Sequence, residues 1–462
     1  MDRVTILPPP QISPAEAKNK QNSNAATARW TFPAELESEI TTLAAIYHAE
    51  QQQRTPLPAG REEDLYDDSS DEDGDDDRTD AAVSLKENKT ASMKMLFLDK
   101  LAEILCYEKH VDFVTCTALL EGEDRVTVLA ARNARWEKKD VEMLKEIAEF
   151  MEGVALQDTQ GQGWVDVQLV DRLSTYYAPR LRYHANELLK LIRKEEFNNQ
   201  TALIKAFLAG EVSPAEFVQV IDLICYSRTF FEKLKRLFPK PEELKKRTRQ
   251  LGYLCRPGYA HMAFILAARE ISGFQKVKIE LLSGFKPRGV QSQNIGDKQW
   301  KKNVQVTYNV LVKKQKWVHA EMRMLLHLIS TDTAAKAFPY LGISKKTCLL
   351  CGHVLKNSGR FQARNNHGKI YAQWTLPSSL VVPAAYKSQL ENTVKSICEL
   401  LHREAEGDHE KINPIRESTI STPVAPRLDA WSPFNRSIRD AKTEAREEEL
   451  LAMHSRFAYD AK

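Results

Sequence analysis

Four residues in two short segments have the types and spacing to do chemistry. His319 and Glu321 form H-A-E, and Cys348 and Cys351 form C-x-x-C 29 residues after the histidine. Cysteines at i and i+3 share one face of a helical turn, so both sulfurs can reach one ion. One imidazole and two thiolates supply three ligands of a zinc site, at about 2.0–2.1 Å for nitrogen and about 2.3 Å for sulfur. The fourth corner is then open to water, the pattern of a catalytic rather than a structural site. Zinc brings the pKa of such a water toward about 7. Glu321 need not bind the ion. A carboxylate beside that water can take its proton and return it to the reacting group, which is general acid–base work. Two other readings stay open here. His353 or His367 could close the shell as a fourth, structural ligand, or Cys348 and Cys351 could be core thiols with no metal.

Both motifs need a helix start, where free N–H groups and the helix dipole favour thiolate. The apolar spacing predicts helices over 319–330 and 348–358, from Pro257, and over 385–404. Alternation predicts strands over 275–282, 303–312, 337–343 and 368–374. Helices and strands in this order imply an α/β layered domain over 251–405. Residues 91–250 read as a mostly helical domain of unknown role, with helices at 136–155, 167–195 and 213–237. VDFVTCTALL and RVTVLAARN form a strand pair within it. Residues 1–90 read as a disordered, acidic region containing one short helix at 32–53. Like charges repel across EEDLYDDSSDEDGDDD (62–77), and almost nothing apolar is there to bury. Residues 406–462 read as a tail with a charged helix near 436–456.

Composition narrows the function classes. No run approaches the ~18 apolar residues that cross a bilayer, and the start lacks the pattern of a secretory signal, so no membrane partner is expected. Seven scattered cysteines, an odd number, suggest a reducing compartment, cytoplasm or nucleus. Net charge of +3 hides an asymmetry: residues 1–80 sum to −11 and residues 251–404 to +15. Such polarity speaks of partners. A polyanion suits the basic part, and the acidic linker or the helical domain could meet a protein.

H-A-E followed by C-x-x-C resembles the signature of the zinc-dependent nucleic-acid and nucleotide deaminase superfamily. HAEMRMLLHL, FPYLGISKKTCLLCGHVL and HGKIYAQWTLP look like its Orientia-type (OTT-like) branch, abundant in fungi. The resemblance covers roughly 255–405. It implies a cytidine-deaminase-like three-layer α/β/α sandwich, with zinc on His319, Cys348 and Cys351 and Glu321 as proton shuttle. One departure is Thr347, where the signature has proline.

The resemblance implies hydrolytic deamination of a nucleobase, in single-stranded nucleic acid or a nucleotide, where the base is exposed. Candidate substrate contacts are Ala320, Lys345, Lys346, His367, Lys369 and Trp374. The basic residues of KKQK (313–316), Arg360 and Arg364 could meet phosphates, and Trp300, Trp317 and Trp374 could stack on bases. Core packing accounts for the tryptophans equally simply, and a solvated face for the lysines. The alternative function is a catalytically silent, zinc-stabilised module that binds nucleic acid or protein.

Overall fold

The computed structural model describes residues 3–7, 27–54, 89–122, 125–156, 167–192, 197–226, 228–290, 302–364 and 366–406. In chain order the elements begin with β1 (Val4–Leu7), β2 (Thr27–Thr31), α1 (Ala34–Arg54), α2 (Lys89–Leu105), β3 (Thr115–Glu121), β4 (Val126–Arg132) and α3 (Lys138–Leu156). Seven helices follow: α4 (Val167–Tyr176), α5 (Ala178–Leu191), α6 (Asn198–Ala209), α7 (Pro214–Tyr226), α8 (Arg228–Leu237), α9 (Pro241–Leu254) and α10 (Arg256–Glu270). The last group is β5 (Val277–Leu282), α11 (Lys302–Leu311), α12 (Ala320–Ser330), β6 (Gly342–Ile343), α13 (Leu349–Ser358), β7 (Ser379–Pro383) and α14 (Ala384–Glu406).

These elements fall into two compact units. One is drawn from Met1–Cys106, His110–Thr159 and Ile265–Thr419, the other from Tyr107–Lys109 and Gln160–Phe264. The expected boundary at 250/251 therefore falls inside the second unit. The expected helical domain, 91–250, also sends α2, β3, β4 and α3 into the first.

A mixed five-stranded sheet organises the first unit, in the order β1-β5-β4-β3-β6. β1, β5 and β4 run parallel, while β3 is antiparallel to both β4 and β6. β3 and β4 are buried along nearly their whole length, because both sheet faces are covered. Thr117 Oγ1 donates to the Leu98 carbonyl of α2 at 2.8 Å on one face. Cys116 and Ala118 share a core with Met322, Leu325 and Leu326 of α12 on the other. β6 lies so close to α2 that a Cβ at position 342 would meet the Leu98 carbonyl carbon at 2.4 Å, hence Gly342. The second unit is helical among the described residues. Phe207 and Phe217 stack at 4.0 Å between ring centroids, and His184 is buried between Arg180 and Gln250.

Several expectations are corrected. Parts of 1–90 are folded: β1 joins the sheet, β2 pairs with β7, and α1 packs Ile40 and Ala44 into the core. Trp30 and Phe32 supply the apolar surface that the acidic average of the region conceals. Residues 303–312 are helical. Tyr308 and Leu311, three apart, bury against Ala45, Ile46 and Ala49 of α1, while Val306 and Val310 remain exposed. Alternating valines advertise a strand, but tertiary docking overrides the propensity. Residues 368–374 form a loop, because side chains of α1 take their backbone N–H groups. Ile370 N donates to Gln51 Oε1 and Ala372 N to His48 Nδ1. The acidic run 62–77 and the helix near 436–456 lie outside the described residues. No helix among the described residues is long and apolar enough to cross a membrane.

Candidate metal centre

His319 and Cys348 are the residues immediately before two helices. Each has extended backbone angles and its carbonyl already accepts the first helical bond, from Arg323 N and Gly352 N respectively. Cys351 follows in the first turn of α13, and its N–H donates to Cys348 Sγ at 3.4 Å. His319 Nδ1 lies 3.7 Å from Cys348 Sγ and 3.5 Å from Cys351 Sγ. A tetrahedral ion with the usual zinc bond lengths separates nitrogen from sulfur by about 3.6 Å. Both nitrogen–sulfur separations thus match one coordination shell, all three atoms lie within 4.8 Å of one another, and the cluster could hold a metal ion.

No other His, Cys, Asp or Glu among the described residues joins the group. The two histidines considered as fourth ligands are engaged elsewhere. His353 Nε2 bonds Ser396 Oγ at 2.9 Å, and His367 Nδ1 accepts from Lys369 N at 3.1 Å. Glu321 is buried, and its Oε2 has no hydrogen-bond partner. An orphaned buried carboxylate oxygen is costly unless something else occupies it in the working state.

Burial opposes charge on every member of the cluster. On Cys348 it is outweighed by the hydrogen bond from Cys351 and the charge of His319, which hold that thiol well below its usual range. Burial and then the neighbouring Cys348 push Cys351 well above it. Burial lowers His319, but the charge and hydrogen bond of Cys348 together with the charge of Glu321 more than reverse this. Burial raises the carboxyl of Glu321, with the charge of His319 opposing. A cation is what would let both sulfurs be thiolates together.

Three positioning devices escape a reading of motifs. Arg323, buried in α12, donates from Nε to the Val318 carbonyl at 2.8 Å and from Nη2 to the Asn133 carbonyl at 2.8 Å, and it also bonds the Arg132 carbonyl. It thereby clamps the end of β4 to the ligand helix. Gly284 makes room for it, since a Cβ there would lie 2.3 Å from Arg323 Nη1. Asn133 Oδ1 accepts from Ala320 N at 2.8 Å. The available signals were an arginine on a mostly apolar helix and an asparagine just after a mostly apolar strand.

A cavity of about 240 Å³ opens onto His319, Glu321 and Cys348. His367, Lys345, Lys346 and Trp317 line it, together with His110 and Asp112, which the sequence did not single out. Ala320, Lys369 and Trp374 are not part of its wall. Ala320 is fully buried, and Trp374 is 1% exposed with its indole N–H directed at Cys351. Basic residues expected to face phosphates are partly spent internally. Lys316 Nζ donates to the Ala372 carbonyl, Arg360 to the Ala334 and Ala335 carbonyls, and Arg364 pairs with Asp99 and Glu103. Trp300 lies outside the described residues. Thr347, standing where the signature has proline, accepts from His367 N and bridges to Asn366.

Residues 318–378 match the family described as OTT_1508-like deaminase. No curated protein and no solved structure matches the chain. The matched segment carries the three ligand candidates, Glu321 and Trp374, whereas Asn133, His110 and Asp112 come from outside it.

Proposed function

We propose, from the premise that residues 318–378 make this chain a member of the deaminase family, that the centre is a zinc-dependent hydrolytic nucleobase deaminase. The reading includes a cytidine-deaminase-like layered fold, which the coverage of both sheet faces supports. The observation that carries it is the unpartnered Oε2 of Glu321, buried beside a three-residue set that no fourth His, Cys, Asp or Glu joins among the described residues. His319 Nδ1, Cys348 Sγ and Cys351 Sγ would hold the ion. Bound there, zinc supplies the Lewis acidity that makes water nucleophilic near neutral pH.

Glu321 carries the protons. It receives one from water and delivers it to the ring nitrogen next to the carbon under attack. It then takes the remaining proton from the hydroxyl added to the ring carbon and passes it to the amine, which leaves as ammonia while the carbonyl forms. Burial suits it to both roles, since an environment that favours the protonated carboxyl also makes the carboxylate a better base. Trp317 and Tyr371, on the cavity wall, offer aromatic faces to a base, and Lys345 and Lys346 offer cations to a phosphate. The substrate class is a base in single-stranded nucleic acid or a nucleotide.

The test uses the full chain. Bound zinc is measured, and ammonia release is followed with single-stranded RNA, single-stranded DNA, nucleosides and nucleotides, with Glu321→Ala as control. Ammonia from the wild type alone supports the enzyme. Zinc without turnover on any of these substrates overturns it in favour of a silent binding module.

A further inference from the structure

We infer that Trp374 is a positioning residue for the metal centre, holding the Cys351 sulfur in its ligand position through an indole N–H···S bond. The inference rests on the reading of His319, Cys348 and Cys351 as metal ligands. Trp374 Nε1 lies 3.3 Å from Cys351 Sγ. Both residues are sealed from solvent, Trp374 at 1% exposure and Cys351 at 0%. A buried indole N–H needs an acceptor, and a ligand thiolate is a better one than a neutral thiol because the bond is charge-assisted.

The same segment reaches the other side of the site. Trp317 N donates to the Gln373 carbonyl at 2.6 Å, and Thr375 N donates to the Trp317 carbonyl at 3.0 Å. This parallel bridge between Trp317 and Trp374 lies two residues before the histidine ligand. One short loop therefore sets the approach of His319 and also aims a donor at Cys351. Outer partners of metal ligands fix ligand orientation and tune the ion. An N–H bonded to a thiolate draws electron density from the sulfur, so the bound ion keeps more positive charge. Trp374 does this from behind the ligands, since it takes no part in the cavity wall.

The test replaces the N–H without removing the ring. Full-length protein carrying 3-benzothienylalanine at position 374 keeps the shape and loses the donor. Trp374→Phe is the simpler companion, and protein made with 5-fluorotryptophan restores the donor. Zinc affinity is measured by competition with a chromophoric chelator, and the sulfur-to-metal charge-transfer band is recorded with cobalt(II) in the site. The expected result for the donorless variants is a loss of affinity of about 10- to 100-fold. Their cobalt band should move to lower energy, with both properties kept by the fluorinated protein. Unchanged affinity and an unchanged band, even with a lower melting temperature, would show that Trp374 is packing alone. A wild-type chain that binds neither metal would overturn the ligand reading and this inference with it.

Discussion

Two cysteine pairs in this chain show how far surroundings decide what a thiol does. Cys348 and Cys351 lie in the sheet-containing unit, Cys225 and Cys255 in the helical one, and all four are buried and free. Cys225 and Cys255 are in sulfur contact at 2.8 Å. Both Cys348 and Cys255 stand immediately before a helix. Yet Cys348 is held well below its ordinary pKa, while burial and then Cys225 drive Cys255 well above. The difference is the company. Cys348 has the hydrogen bond from Cys351 and then the imidazole of His319, whereas Cys255 donates to Cys225 and also faces the carboxyl of Asp222. A helix start inclines a thiol toward charge, but here a hydrogen-bond donor and a cationic partner together overcome burial.

The largest expected effect separates the pairs directly. Cys348→Ser should reduce bound zinc and deaminase activity to background, while Cys225→Ser leaves zinc content unchanged; elemental analysis of the purified variants decides it. A loss of zinc in both would break the comparison. Glu321→Gln should lower turnover by about 10²- to 10⁴-fold with zinc retained, because it removes the proposed proton carrier and none of the proposed ligands. Equal loss of zinc would instead make Glu321 a ligand.

Gly284→Ala should destabilise the sheet unit by about 1–3 kcal/mol, read from denaturant unfolding, since the new methyl must displace the Arg323 guanidinium. The smallest effect belongs to the other pair. Burial raises the Asp222 carboxyl to about 7 from an ordinary 3.8. The folded state keeps that proton longer than the unfolded chain does. Its stabilisation is therefore complete below the unfolded value and is lost as pH rises through about 7. Melting temperature should fall by a few degrees between pH 5 and pH 8, and Asp222→Asn should flatten that slope.

Motif chemistry was legible where it depended on neighbours in the chain. The i, i+3 spacing of Cys348 and Cys351, the helix starts and the preceding H-A-E needed only local geometry. Substrate contacts were less legible, because a basic or aromatic residue looks the same in sequence whether it faces a cavity or a carbonyl. Arg364 is spent on buried carboxylates, and the indole N–H of Trp374 on the Cys351 sulfur. Strand prediction failed at 303–312 for a related reason: which valines are buried depends on where α1 lies.

The amino-acid sequence alone determined which residues could form a donor set, His319, Cys348 and Cys351, and that Glu321 stands two positions after the histidine, since residue type and short-range helical geometry are properties of the chain itself. Only the tertiary structure decided that His319 Nδ1 meets both sulfurs, that β4 delivers Asn133 to Ala320, and that Glu321 Oε2 is left without a partner. Those facts depend on segments from 29 to 187 residues apart being brought together by a shared sheet and core. No local pattern encodes such a meeting.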